Sequence, residues 1–172
     1  MKGEVAEFGV ATGNFARFIN TFFPNKKLYL FDSFDGFKKD EIDAERANNL
    51  SSPEYSFYKN IDVNKVLSRM KYQDNCVIRK GYFPETTKGL PEDLTFCFVS
   101  LDCDLYQSML DGLNYFYPRL NAGGYIMVHD YSSKYYRGVK KALQEFSKAN
   151  SLNYVVLPDN TGSAVLAKPL TN

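Results

Sequence analysis

Seven short apolar runs constrain this chain more than any other feature: residues 5–10, 28–31, 76–79, 95–101, 125–128, 154–157 and 164–167, most of them unbroken rather than alternating. A strand that is apolar on both sides must be covered on both faces, which is the condition of a parallel sheet layered between helices. Helical periods lie between the runs. Phe15, Phe18, Ile19 and Phe22 follow one face, with Asn14 placed to cap it; Leu110, Leu113, Tyr117 and Leu120 follow another, ahead of an Asn-Ala-Gly-Gly stop at 121–124. Val139, Ala142, Leu143 and Phe146 mark a third, begun by Ser132 or Ser133. Strand and helix therefore alternate, and the expectation is an α/β, doubly wound, mostly parallel seven-stranded sheet with helices on both faces. In such a sheet the ligand crevice lies beyond the carboxyl ends of the strands. The last two runs are joined by Pro-Asp-Asn-Thr-Gly, a hairpin signal, so one strand should run antiparallel at the end of the sheet.

At 172 residues the whole chain, 1–172, has the size of one domain. The polar stretch 37–58 carries Ser-Ser-Pro and weak periodicity, and reads as an excursion over the crevice, a candidate lid. A net charge of +1 supplies no field for a polyanion, so no nucleic-acid partner is expected. No apolar stretch approaches the roughly 18 residues of a membrane span, and the first residues lack a leader-like apolar block, so a cytoplasmic location without a membrane partner is expected. Homo-oligomer formation stays open. Cys76, Cys97 and Cys103 have neither the count nor the spacing of a disulfide framework or zinc site and read as reduced thiols.

Four constellations carry chemistry. Glu7-Phe8-Gly9-Val10-Ala11-Thr12-Gly13-Asn14 follows a strand and opens a helix. Its glycines permit close approach of a ligand, and the helix start presents unpaired N–H groups. The spacing is Gly-x-x-x-Gly, not Gly-x-Gly-x-x-Gly, and Glu7 would repel a pyrophosphate while suiting a cationic amino group. Asp32 ends the second strand, where an acid accepts hydrogen bonds from ribose hydroxyls. Asp102-Cys103-Asp104 and His129-Asp130-Tyr131 end two further strands. Asp102 and Asp130 are placed to share a hard divalent cation, with Asp104 and Asp130 alternatively capping the helices that follow. His129, the single histidine, is a candidate base or metal ligand.

These residues resemble the class I S-adenosylmethionine-dependent methyltransferases, and more narrowly the macrocin O-methyltransferase family, which methylates sugar hydroxyls. The resemblance rests on Gly3-Glu4-Val5-Ala6-Glu7-Phe8-Gly9-Val10, Asp32-Ser33-Phe34-Asp35-Gly36-Phe37, Asp102-Cys103-Asp104-Leu105-Tyr106 and Gly123-Gly124-Tyr125 through His129-Asp130-Tyr131, in order along the chain. It implies a Rossmann-like fold binding S-adenosyl-L-methionine. Glu7, Gly9, Thr12, Gly13 and Asn14 would shape the methionine pocket, Asp32 and Ser33 would hold the ribose, and Gly81, Tyr82 and Phe83 would border the adenine, with Asp102 close by. The resemblance also implies Mg2+ on Asp102 and Asp130, with His129 standing where the family places a second acid. The family carries helices ahead of the first strand, so a chain opening on that strand is expected to hold its acceptor more loosely.

The expected activity is methyl transfer to a hydroxyl of a small molecule such as a sugar, with Asp102 and His129 assisting loss of the hydroxyl proton. Two rivals stay open. Tyr136 and Lys140 reproduce the Tyr-x-x-x-Lys spacing of NAD(P)-dependent short-chain reductases, and a degenerate methyltransferase fold can serve as a binding module.

Overall fold

The structure, a computed structural model, describes residues 1–51, 53–54 and 56–170. Seven strands form one sheet in the order β3-β2-β1-β4-β5-β7-β6. They are β1 (Glu4–Phe8), β2 (Leu28–Asp32), β3 (Cys76–Lys80), β4 (Phe96–Leu101), β5 (Leu120–Val128), β6 (Tyr154–Val156) and β7 (Ala164–Ala167). β7 runs antiparallel to both β5 and β6. The antiparallel strand thus lies one place in from the edge, because the hairpin folds its second arm inward against β5.

Alternate residues along each strand feed two cores, one on each face. Phe8, Tyr29, Phe31, Val99 and Leu101 pack with α4 (Tyr106–Arg119) and α5 (Arg137–Ala149). Val5, Leu28 and Leu30 pack with α1 (Ala16–Phe22) and with Val66 of α3 (Val63–Leu67). Val139, Leu143 and Phe146 of α5 are buried, each contributing roughly 1.5–3 kcal/mol relative to exposure.

The helix ends differ from the sequence expectation. α1 starts at Ala16 with no side-chain cap, because the Asn14 side-chain oxygen accepts instead from Arg69 Nη1 at 2.6 Å. α5 starts only at Arg137; the Ser133 hydroxyl accepts from the N–H groups of Tyr135 and Tyr136, folding the approach to the helix rather than capping it. The 121–124 segment is not a helix stop. Leu120 already turns extended, and Gly124 lies inside β5, where a Cβ would stand 2.9 Å from the Cys97 carbonyl oxygen. Close strand approach, not helix termination, requires that glycine.

The polar excursion is also more ordered than its weak periodicity implies. It contains α2 (Lys39–Ala47), whose Ile42 is fully buried. Its buried Glu45 accepts a 2.6 Å hydrogen bond from the Tyr106 N–H at the start of α4 and another from the Ser51 hydroxyl. A carboxylate at a helix amino end is favoured by the unpaired N–H groups and the dipole there. No helix among the described residues is long and apolar enough to cross a membrane.

Candidate active site

The ladder carries on past the strands and brings four strand ends level. Gly9 N–H donates to the Phe31 carbonyl at 3.0 Å, Asp102 N–H to Phe8 at 2.8 Å, and His129 N–H to Leu101 at 2.9 Å. Glu7, Asp32, Asp102 and Asp130 therefore meet at one edge. Gly9, at φ +89°, makes this possible, since any Cβ there would lie 2.1 Å from the Asp102 carbonyl oxygen.

Above that edge lies a cleft of about 310 Å3 lined by Glu7, Gly9, Thr12, Asn14, Asp32 and Ser33 on one side and by Gly81, Tyr82 and Phe83 on another. Asp102, Asp104, Asp130, Tyr58 and Tyr136 line its far end. Of the eight described non-glycine residues with positive φ, four (Ala11, Tyr58, Asp104 and Asp130) line this cleft. Such conformations cost about 1–3 kcal/mol each and gather where function requires them.

Glu7 is buried, and its Oε2 has no hydrogen-bond partner among the described residues. Burial, then the negative charges of Asp102 and Asp32, hold its carboxyl well above the usual range. An unpaired buried acceptor of this kind is costly unless a donor fills the cleft. Asp32 is held rigidly: its Oδ2 accepts from Ala11 N–H at 2.8 Å and its Oδ1 from Phe34 N–H at 2.6 Å. Ser33 shapes the same turn, donating to the Gly36 carbonyl at 2.6 Å. Phe83 stacks on Phe8 with ring centres 4.5 Å apart, giving that end an apolar wall. Lys38, from the excursion, reaches across to the Phe83 carbonyl at 3.1 Å and lies 5.4 Å from the Tyr82 ring centre.

At the far end, one oxygen from each of Asp102, Asp104 and Asp130 lies within 4.8 Å of the others. Burial pushes the Asp102 carboxyl up to about 6. Burial and then the charges of Asp102 and Asp130 raise Asp104 well above its ordinary value, and burial and Asp102 raise Asp130. Three carboxylates that repel one another, all hard oxygen donors, fit a cation such as Mg2+. Of the two readings open for Asp104, the helix-cap alternative is not met: α4 has no side-chain cap, and Asp104, in a left-handed turn at φ +63°, joins the cluster.

Two expected site residues stand apart. Gly13 does not line the cleft; its absent Cβ leaves room for Val66 and Met70 behind the turn. His129 also does not line it: its Nε2 is 3.0 Å from the Ser100 hydroxyl and its ring packs edge-on against Phe15. Burial lowers its pKa, which favours the neutral imidazole, and among the described residues the acid cluster consists of Asp102, Asp104 and Asp130.

Tyr136 and Lys140 do not form a reductase pair. Lys140 lies over the Tyr131 ring at 5.4 Å, while burial and the charge of Asp104 raise the Tyr136 hydroxyl pKa rather than lowering it. Residues that the sequence reading missed are Lys38, Glu41, Tyr58 and Ser108. Glu41 accepts a 2.5 Å hydrogen bond from the Ser108 hydroxyl, linking the excursion to α4 inside the cleft. No short motif announced these contacts, since each joins segments far apart in sequence.

Comparison with known proteins agrees with this fold. In fold, the chain is similar to the O-methyltransferase NovP, with a TM-score of 0.80 at 21% identity, covering 98% of this chain and 72% of that one. It is also similar to the calicheamicin methyltransferase CalS11, at 0.76 and 18%, covering 97% and 72%. Among curated proteins, it is 29% identical over 145 residues to the mycinamicin III 3''-O-methyltransferase of Micromonospora griseorubida, covering 75% of this chain and 55% of that protein. A tetracenomycin rhamnosyl 4'-O-methyltransferase of Streptomyces olivaceus is 24% identical over 140 residues, covering 76% and 53%. The chain spans about half the length of these two relatives. Residues 1–163 match the family described as Macrocin-O-methyltransferase (TylF), and the chain belongs to that family.

Proposed function

We propose that the cleft binds S-adenosylmethionine and that the chain transfers its methyl group to a hydroxyl of a sugar or similar polyhydroxylated small molecule. The observation that carries this reading is the pairing, in one cleft, of an unpartnered buried Glu7 and a backbone-clamped Asp32 with a separate three-acid cluster. Glu7 suits the donor's ammonium group, Asp32 the ribose hydroxyls, and the Phe83 wall with Gly81 and Tyr82 the adenine.

The cluster then faces the acceptor. Asp102, Asp104 and Asp130 are the residues that would hold Mg2+, and a bound cation would lower the pKa of an acceptor hydroxyl. Without the cation, Asp102, whose carboxyl burial pushes up to about 6, would be the group that takes the hydroxyl proton near neutral pH. As the acceptor oxygen bonds to the methyl carbon, the sulfur–carbon bond breaks, its electrons return to sulfur, and the proton leaves the oxygen. Holding donor and acceptor in line supplies the rest, because positioning makes the reaction effectively unimolecular. The relatives' names describe sugar or antibiotic hydroxyl methylation, which supports the same acceptor class.

The test is incubation with S-adenosylmethionine and a panel of sugars and glycosides, with and without Mg2+, reading methylated product by mass spectrometry. Asp102→Asn should cut turnover at least about 100-fold while leaving cofactor-product binding intact. Donor binding without turnover on any acceptor would favour a binding module, and an unaltered rate in the variant would refute the role of Asp102.

A further inference from the structure

The turn between β6 and β7 is delivered to the candidate site by the one reversed strand of the sheet. Because β7 runs antiparallel to both β5 and β6, that turn lies at the same edge as the carboxyl end of β5. Val128 stands opposite Ala164, and carrying the same pairing on by two residues sets Asp130 opposite Gly162. The turn is tightly built. Asp159 Oδ1 accepts from the Ser163 N–H at 2.7 Å, the Asp159 carbonyl accepts from the Gly162 N–H at 3.3 Å, and the Leu157 N–H donates to the Ser163 carbonyl at 2.7 Å.

It is also fastened to the segment that follows β5. The Ser132 N–H donates to the Thr161 carbonyl at 2.9 Å, and Gly162, at φ +67°, packs against the Ser132 side chain so closely that a Cβ has no room. Held in this way, Thr161 donates a hydrogen bond from its hydroxyl to the Asp130 carboxylate. Among the described residues, Asp102 and Asp104 have no such side-chain donor. Asp130 is also less buried than Asp104 and sits on a left-handed turn at φ +57°, so its carboxylate has fewer neighbours to fix its direction. A donor on one oxygen of a ligating carboxylate leaves the other for the cation and orients it; losing such a partner weakens metal affinity by about 10–100-fold.

We propose that Thr161 is a positioning residue: its hydroxyl orients Asp130 within the three-acid cluster and so sets the affinity of that cluster for a divalent cation. The role rests on the reading of the cluster as a cation site. It makes the β6–β7 turn part of the working site, where the sheet order alone would leave it a closing hairpin.

The test is a titration of Mn2+, which takes the same oxygen ligands as Mg2+, into the protein saturated with S-adenosylhomocysteine, with free Mn2+ read by electron paramagnetic resonance. Thr161→Val keeps the shape of the side chain and removes the hydroxyl, whereas Thr161→Ser keeps the hydroxyl and removes the methyl. The valine variant is expected to bind Mn2+ about tenfold more weakly, with S-adenosylhomocysteine affinity and Tm unchanged, and the serine variant to stay within about threefold of wild type. Wild-type Mn2+ affinity in Thr161→Val would overturn the proposal and leave the cation reading standing. A serine variant as weak as the valine one would also overturn it, since packing of the methyl would then be responsible. Absence of Mn2+ binding by the wild-type protein would strike the cation reading itself and the role of Thr161 with it.

Discussion

Removing the Glu45 carboxylate tests how the excursion is fastened over the cleft. Glu45 is 3% exposed, accepts from the Tyr106 N–H at 2.6 Å and from the Ser51 hydroxyl, and one of its oxygens would lie 2.7 Å from a Cβ at Gly138, in the first turn of α5. Glu45→Ala therefore deletes an acceptor at the amino end of α4 and leaves a buried hydroxyl and a part-buried N–H without it. Losing a hydrogen bond to a charged group costs about 1.5–3 kcal/mol, and the lost helix-terminus interaction adds up to about 1. A total near 3 kcal/mol is expected, or a fall in Tm of about 6–12 °C for a chain of this length. Glu45→Gln retains an acceptor oxygen and should cost about half as much. Urea unfolding followed by circular dichroism gives the free energies, and hydrogen exchange should show protection lost in 39–50 and at 106–109. Because Lys38 and Glu41 flank this anchor and line the cleft, S-adenosylhomocysteine affinity should fall as well. A loss under about 1 kcal/mol for the alanine variant, or unchanged exchange in 39–50, would refute the anchoring argument.

Gly9→Ala is expected to be near the limit of folding, at 4 kcal/mol or about that, since it combines a positive φ with a Cβ 2.1 Å from the Asp102 backbone; a soluble variant with wild-type Tm would contradict the close strand approach. Glu7 carries a pKa raised by burial, so its neutral form is favoured by the fold: stability is present at low pH and lost as pH rises through the raised value. Glu7→Gln should accordingly stabilise the ligand-free protein on the alkaline side, with no gain in acid, while weakening S-adenosylhomocysteine binding; thermal melts from pH 5 to 9 with and without that ligand decide it. His129→Ala should lower stability by about 1–2 kcal/mol through loss of the Ser100 and Phe15 contacts and leave the methylation rate within about threefold; a hundredfold rate loss would return His129 to the chemistry.

The alternation of apolar runs and helical periods carried most of the architecture, because strands buried on both faces cannot hide their composition. Strand starts and ends fell within a few residues of expectation except in β5, where glycines read as a helix stop instead serve close packing against β4. The excursion was legible as an insertion but not as α2: only Ile42 and Glu45 are buried there, too few to mark an apolar stripe. Caps failed for the same kind of reason, since Asn14 and Ser133 had competing partners that lie outside their own helices.

Residue types at strand ends were enough to name Glu7, Asp32, Asp102 and Asp130, because in a parallel sheet every strand delivers its last residues to one edge. That Asp102 and Asp130 share one crevice was legible in the sequence, whereas the membership of Asp104 and the exclusion of His129 were decided by tertiary structure. Left-handed turns bring Asp104 into the cluster, a neighbouring hydroxyl and ring retain His129 outside it, and an insertion some sixty residues upstream closes onto α4 through Glu41 and Glu45. Periodicity is a local property of the chain, whereas backbone handedness at a strand end and the choice among competing hydrogen-bond partners depend on what the rest of the fold places nearby.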